Sequence, residues 1–296
     1  MMGALTTMLS AVAPVLIGAA LGYFLLGRKS IDVRLITTIT TDVGTPSLVL
    51  YTLSSTRIPP DALATTALAA ILSLLCFAGL GLVALKVAKL RVRTFLPALT
   101  FPNVGNLGLP LIYLAFGQQG LGYAIAFFTI TSVAQFTLGQ GIAMGGTSWK
   151  AILRVPVIYA LIIGIVITET GITLPGWVTS TLQIMSGLTV PLMLLMLGSA
   201  LARLRVNVMR RAASVAVLRI GMGCLVGVAV CALLHITGVA RAVVILQCGM
   251  PVAVYCYLFA ERWQNQPEEV AGTVVVSTVV SVVTIPALLE FLLLSP

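Results

Sequence analysis

Ten apolar runs fill nearly all of this 296-residue chain. They cover approximately Leu5 to Leu26, Leu35 to Ser54, Ala62 to Leu85, Phe95 to Phe116, Leu121 to Met144, Val155 to Thr168, Trp177 to Ala202, Ala212 to His235, Val239 to Ala260 and Val270 to Leu294. A membrane-spanning helix needs about 20 apolar residues. Soluble domains are about half apolar and about a quarter charged, whereas 59% of these residues are hydrophobic, 8% are charged and the mean hydropathy is +1.11. The expectation is an all-α integral membrane protein of ten transmembrane helices, with little chain left for a soluble domain.

The net charge of +9 does not point to nucleic acid, because the basic residues are sorted by connection. Arg28, Lys29, Arg34, Lys86, Lys89, Arg91, Arg93, Lys150, Arg154, Arg203, Arg205, Arg210, Arg211 and Arg262 all fall on one side of the ten-span scheme. Arg57 and Arg241 fall on the other, and Arg219 lies inside a span. Basic connections stay cytoplasmic, so both termini are expected outside, in a cell membrane of the prokaryotic inner-membrane kind. The first apolar run has its basic cluster on its C-terminal side and reads as a retained anchor rather than a cleaved signal. The five cysteines all lie within spans and show neither a disulfide framework nor metal-ligand spacing.

Two apolar runs are interrupted by a glycine, a bulky apolar residue and a proline: Gly108-Leu109-Pro110 and Gly249-Met250-Pro251. Proline removes a backbone donor and clashes with the preceding turn, so at membrane depth it needs neighbours or a wet cavity to satisfy the freed groups. Pro46 and Pro191 recur at nearly the same offset, Tyr113 and Tyr255 follow the two breaks at nearly equal distance, and the fifth and tenth runs are both rich in Ser and Thr. Five spans per half make the repeat inverted, with breaks in helices 4 and 9. The halves are residues 1–144 and 155–296, joined by a short cytoplasmic linker at 145–154.

Opposed orientation gives half-helices starting near Pro110 and Pro251 with their N-termini at one depth. Each N-terminus carries unpaired N–H groups and about half a positive charge, so together they suit an anion such as a carboxylate. Asn103, Gly105, Asn106 and Gly108 precede the first break, and Gln247 precedes Gly249 in the second. The glycines permit unwound backbone, while amides donate and accept without titrating. The substrate-binding set is therefore Asn103, Gly105, Asn106, Gly108, Pro110, Gln247, Gly249, Pro251, Tyr255 and Gln135; the amides, Gln135 above all, also suit interhelical bonding.

Asp42 is the one acid clearly inside a span. Ionisable groups at such depth are functional by default, and the alternative is a structural acid bonded to Thr38, Thr41 or Thr45. Ser277 and Ser281 join it as coupling-ion candidates, with sodium conceivable near Asn106. Arg219 is expected to snorkel to the headgroups, and His235 to sit at the outer interface. The sequence shows no nucleotide loop, nucleophile arrangement, cofactor motif or metal cluster, so no enzymatic chemistry is expected.

The chain resembles the auxin efflux carrier family, the PIN-like transporters, in its short prokaryotic form. The resemblance rests on the spans with Pro46 and Pro191, on the stretch from Asn103 to Pro110, on Pro-Leu-Met-Leu-Leu-Met-Leu-Gly ending at Gly198, on Gly249-Met250-Pro251, and on Ser277 to Pro286. It implies the ten-helix fold shared with bile-acid symporters. Helices 1, 2, 6 and 7 would form a scaffold that often homodimerises, and helices 3–5 and 8–10 a transport domain moving elevator-fashion. It also implies an anion beside the crossing at Pro110 and Pro251, with Asn106 or Asn103 as the polar contact. The long hydrophilic loop of plant members is missing here. The expected function is secondary active transport of small organic anions, auxin-like or malonate-like, coupled to H+, to Na+ or to neither. The alternatives are a sodium-coupled bile-acid-type symporter and a non-transporting membrane sensor or scaffold.

Overall fold

The computed structural model describes residues 2–26, 33–55, 59–145, 156–203 and 209–294. All ten apolar runs are helical over most of their described residues. Arg28, Lys29, Arg57, Lys150, Arg154, Arg205 and linker residues 146–154 lie outside the described set.

The first run is α1 (Met2–Leu25). The second is α2 (Val33–Ile39), a π-helical turn at Thr40–Gly44, and α3 (Thr45–Ser55). After α4 (Pro60–Val87) comes α5 (Val92–Thr100), which ends in extended backbone. A second π-turn (Val104–Gly108) then feeds α6 (Leu109–Ala134). Gly117, at φ +61°, divides α6 into two helices and so supplies the turn between the fourth and fifth runs. A third π-turn (Gln135–Gly139) leads into α7 (Gln140–Met144). The second half comprises α8 (Pro156–Thr170), α9 (Gly176–Gly187), α10 (Thr189–Arg203), α11 (Met209–Leu233), α12 (Gly238–Gly249), α13 (Val254–Arg262) and α14 (Pro267–Leu294).

Five stretches of the described residues are long and apolar enough to cross a membrane: Asp61–Val87, Val104–Met144, Gly176–Ser199, Arg210–Leu233 and Pro267–Leu292. Ala13–Leu25, Pro156–Thr170 and Gly238–Gly249 are shorter apolar helices. Large apolar side chains face outward along many of them, Leu75, Val83, Leu225 and Val283 among others, while the interior is close-packed around Phe77, Phe95, Phe101 and Phe127.

Packing is densest between α1 and α10, with α3 against α8 and α9 beside them; elsewhere α11 packs on α12 and α14, and α4 on α5 and α6. Small residues set the first of these contacts. A Cβ on Gly198 would overlap the Ala19 carbonyl, and one on Gly22 would overlap that of Leu195. Such close backbone approach is how helices associate where lipid removes the hydrophobic drive between them.

Candidate functional site

The two broken helices meet at an antiparallel bridge between Pro102 and Val252. Asn103 N–H donates to the Pro251 carbonyl at 2.7 Å, and Ala253 N–H donates to the Phe101 carbonyl at 3.0 Å. Buried backbone outside a helix must still find partners, and here nearly every group does. Phe101 N–H reaches Pro97 O, Val104 N–H reaches Pro102 O, and Gly108 N–H reaches Asn103 O. Ser277 Oγ accepts from Val252 N–H at 3.1 Å. Pro102 and Pro251 have no N–H to satisfy. Proline is thus well suited to the two extended segments.

This geometry corrects the expected position of the first break. The chain leaves helix at Phe101–Asn103, and Gly108 is helical at φ −65° and ψ −52°. Pro110 sits in the first turn of α6, where a missing N–H costs little. The equivalent positions are Phe101 and Pro251, since each accepts the other segment's bond. The second break, through Met250 and Pro251, lies where the sequence placed it. The matching of Tyr113 to Tyr255 fails with the shift: Tyr113 is exposed, whereas Tyr255 is partly buried and packs edge-on against Phe136 with centroids 4.9 Å apart.

Helical segments leave the crossing at Val104 and Val254, and neither has a side-chain N-cap. Of their first-turn N–H groups, Val104 donates to Pro102 O and Cys256 to Ala253 O, while the remaining N–H groups of a first turn have no acceptor within their own helix. They border a cavity of about 60 Å³ lined by Thr40, Thr41, Thr45, Pro102, Asn103, Val104, Gly105, Asn106, Phe128, Ser132, Gln135, Phe136, Met193, Met196, Ala253 and Tyr255. All three π-turns contribute residues to it. Such turns recur at functional sites because the extra residue displaces side chains and frees carbonyls. Thr45 Oγ1 donates to the Thr40 carbonyl at 2.8 Å, holding the first turn in shape.

Polar groups on this lining are left without protein partners. Asn103 is buried with its Nδ2 unpaired, and so is Gln135 with its Nε2. Buried donors without acceptors are rare, and both belong to a cavity that carries no charged side chain among its described lining residues. Asp42 stands just outside it, exposed, accepting from Thr41 Oγ1 at 3.0 Å. Tyr255 lies within electrostatic reach of that carboxylate.

Of the sequence-derived set, Asn103, Gly105, Asn106, Gln135 and Tyr255 line the cavity, and Pro251 closes the bridge. Gly108, Pro110, Gln247 and Gly249 stand outside the lining. Gly108 instead gives room to Gln247, whose amide oxygen a Cβ would strike. Ser277 supports the crossing from behind. Ser281 donates to Thr278 O and borders a separate apolar cleft with Val15, Leu107 and Leu197. Thr40, Thr41, Ser132, Phe128, Phe136, Met193 and Met196 line the cavity but are not in the binding set expected from sequence. One available signal was a proline two residues beyond a π-turn, at Pro46 and at Pro110.

Arg219 does not snorkel. It is fully buried in α11, its Nη2 donates to the Cys248 carbonyl at 3.0 Å, and its guanidinium lies 4.3 Å from the centroid of Phe77. Gly223 explains the inward course, because a Cβ there would overlap Cys248 O, and its absence lets α11 approach the last turn of α12.

A family model described as membrane transport protein matches residues 7–142 and 140–289. The chain belongs to the membrane transport protein family. An uncharacterized transporter of Methanothermobacter thermautotrophicus is 27% identical over 302 residues, covering 96% of this chain and 97% of the relative. Family and apolar helices together make this transporter a multi-pass membrane protein. The crossing cavity is the candidate place for its cargo, since transporters bind substrate where discontinuous helices meet.

Proposed function

We propose that this protein is a secondary active transporter of small organic anions, carboxylates of auxin-like or malonate-like size, working by elevator-type alternating access. The observation that carries this reading is the crossing cavity, where two uncapped helix N-termini and the unpaired amides of Asn103 and Gln135 face one small space. Donors without a fixed cation suit a carboxylate. A cavity of about 60 Å³ favours a compact ligand over one of bile-salt size.

The antiparallel bridge fits a 5+5 inverted repeat, because equivalent segments of inverted halves run in opposite directions where they cross. Ten spans with both termini outside follow from the basic connections. The densest packing supports a scaffold of α1, α2, α3, α8, α9 and α10 and a transport body built from the remaining helices. In this reading the scaffold homodimerises in a prokaryotic inner membrane, with Asp42, beside the cavity mouth, as the coupling acid.

Proteoliposome uptake of a carboxylate panel under imposed proton, sodium or voltage gradients tests the proposal. Wild type accumulates at least one small carboxylate, Asn106→Ala loses most of that uptake, and Asp42→Asn loses its proton dependence. Absence of any carboxylate flux under every gradient overturns the assignment, and strict sodium dependence moves it to the bile-acid-type symporter.

A further inference from the structure

Arg219 is a fully buried cation with no carboxylate within ion-pair distance among the described residues, where the ion pair lies elsewhere, between Arg211 and Glu269. Its Nε and Nη1 have no hydrogen-bond partner. The Cys248 carbonyl at the end of α12 accepts one bond, and a helix C-terminus carries about half a negative charge. Roughly half a unit of positive charge is left over. The Phe77 face stabilises a cation without neutralising it.

The excess charge sits beside the crossing. Arg219 is within electrostatic reach of Cys248 and of Cys256, which lie on either side of the extended segment that delivers Ala253 and Tyr255 to the cavity. The cavity has uncapped N-termini and unpaired amides on its wall and no cationic side chain. A unit charge acting over about 10 Å at an effective dielectric of about 20 changes an anion's affinity by roughly tenfold.

We propose that Arg219 is the fixed counter-charge of the anion held at the crossing, a positioning residue that acts through the crossing backbone without touching the ligand. The inference rests on the anion reading of the cavity. When the cavity is empty the residual positive charge has no counter-ion, and a bound monoanion offsets it. Binding and relief of the burial penalty are then one event.

Two substitutions separate charge from shape. Arg219→Lys keeps the cation and loses the planar fork; Arg219→Gln keeps a donor for Cys248 O and loses the cation. Protein in zwitterionic nanodiscs is titrated calorimetrically with acetate, benzoate and malonate, alongside thermal unfolding of each variant. The expected result is binding by Arg219→Lys within about threefold of wild type and weakening on the order of tenfold in Arg219→Gln. Equal binding by wild type and Arg219→Gln overturns the counter-charge while leaving the anion site standing. Loss in Arg219→Lys with retention in Arg219→Gln overturns it in favour of a structural cap. Should Arg219→Gln fail to fold, Arg219→Lys decides alone, retained affinity supporting the proposal and lost affinity overturning it. Failure of wild type to bind any of the three overturns the anion reading and this inference with it.

Discussion

Asn103 donates its backbone N–H to Pro251 at 2.7 Å, tying the two broken helices together at the point where both abandon helical geometry. Ala253 and Phe101 make the reciprocal bond. Two short backbone bonds thereby fix the relative position of two helix N-termini, which would preorganise the proposed anion site in advance of any ligand. The side chain of Asn103 is left with its Nδ2 unpaired on the cavity wall.

Asn103→Ala should therefore separate function from stability. Nδ2 contributes no protein hydrogen bond, so its loss leaves the thermal unfolding midpoint nearly unchanged. Carboxylate uptake falls by roughly tenfold or more, the value of one good hydrogen bond to a charged group. Uptake in proteoliposomes and unfolding in detergent, measured on the same preparation, check both halves of the prediction.

Ser277→Ala should do the reverse first. Its Oγ accepts from the buried N–H of Val252 at 3.1 Å, and alanine leaves that donor orphaned. The expected destabilisation is about 1–3 kcal/mol. Thermal unfolding reports it, and Ser277→Thr, which retains a hydroxyl, recovers part of the loss.

Much of the fold could be read from composition and proline placement, because lipid leaves few options to an apolar chain. The ten helical runs and the second break at Pro251 follow from those rules alone. The first break was displaced because Pro102 and Pro110 both stand in one run, and sequence does not distinguish a proline in extended backbone from one in a helix's first turn. The π-turns carry no periodicity of their own, which hid Thr40, Thr41 and Phe136. Arg219 was read as a snorkelling side chain because the notch provided by Gly223 exists only once α11 packs on α12.

Gly198→Val should weaken the contact between α1 and α10. A side chain there meets the Ala19 backbone, which cannot rotate out of the way as a flexible side chain could. Overpacking typically costs about 1–3 kcal/mol, and the upper end is expected for a clash with backbone. A lowered unfolding midpoint in detergent, with carboxylate affinity of the surviving folded protein unchanged, is the outcome that places the defect outside the cavity.

Gln247→Leu tests whether a polar residue beside a helix break belongs to the site. Gln247 is fully buried in α12, and neither its Oε1 nor its Nε2 has a hydrogen-bond partner. It packs against Gly108 and is absent from the cavity lining. Replacing an unsatisfied amide by an apolar side chain of similar volume removes a desolvation penalty of about 1–3 kcal/mol. The variant should unfold at a higher temperature and transport with unchanged KM. A large rise in KM would instead return Gln247 to the substrate site, which would require the cavity to extend past Gly108 during the transport cycle.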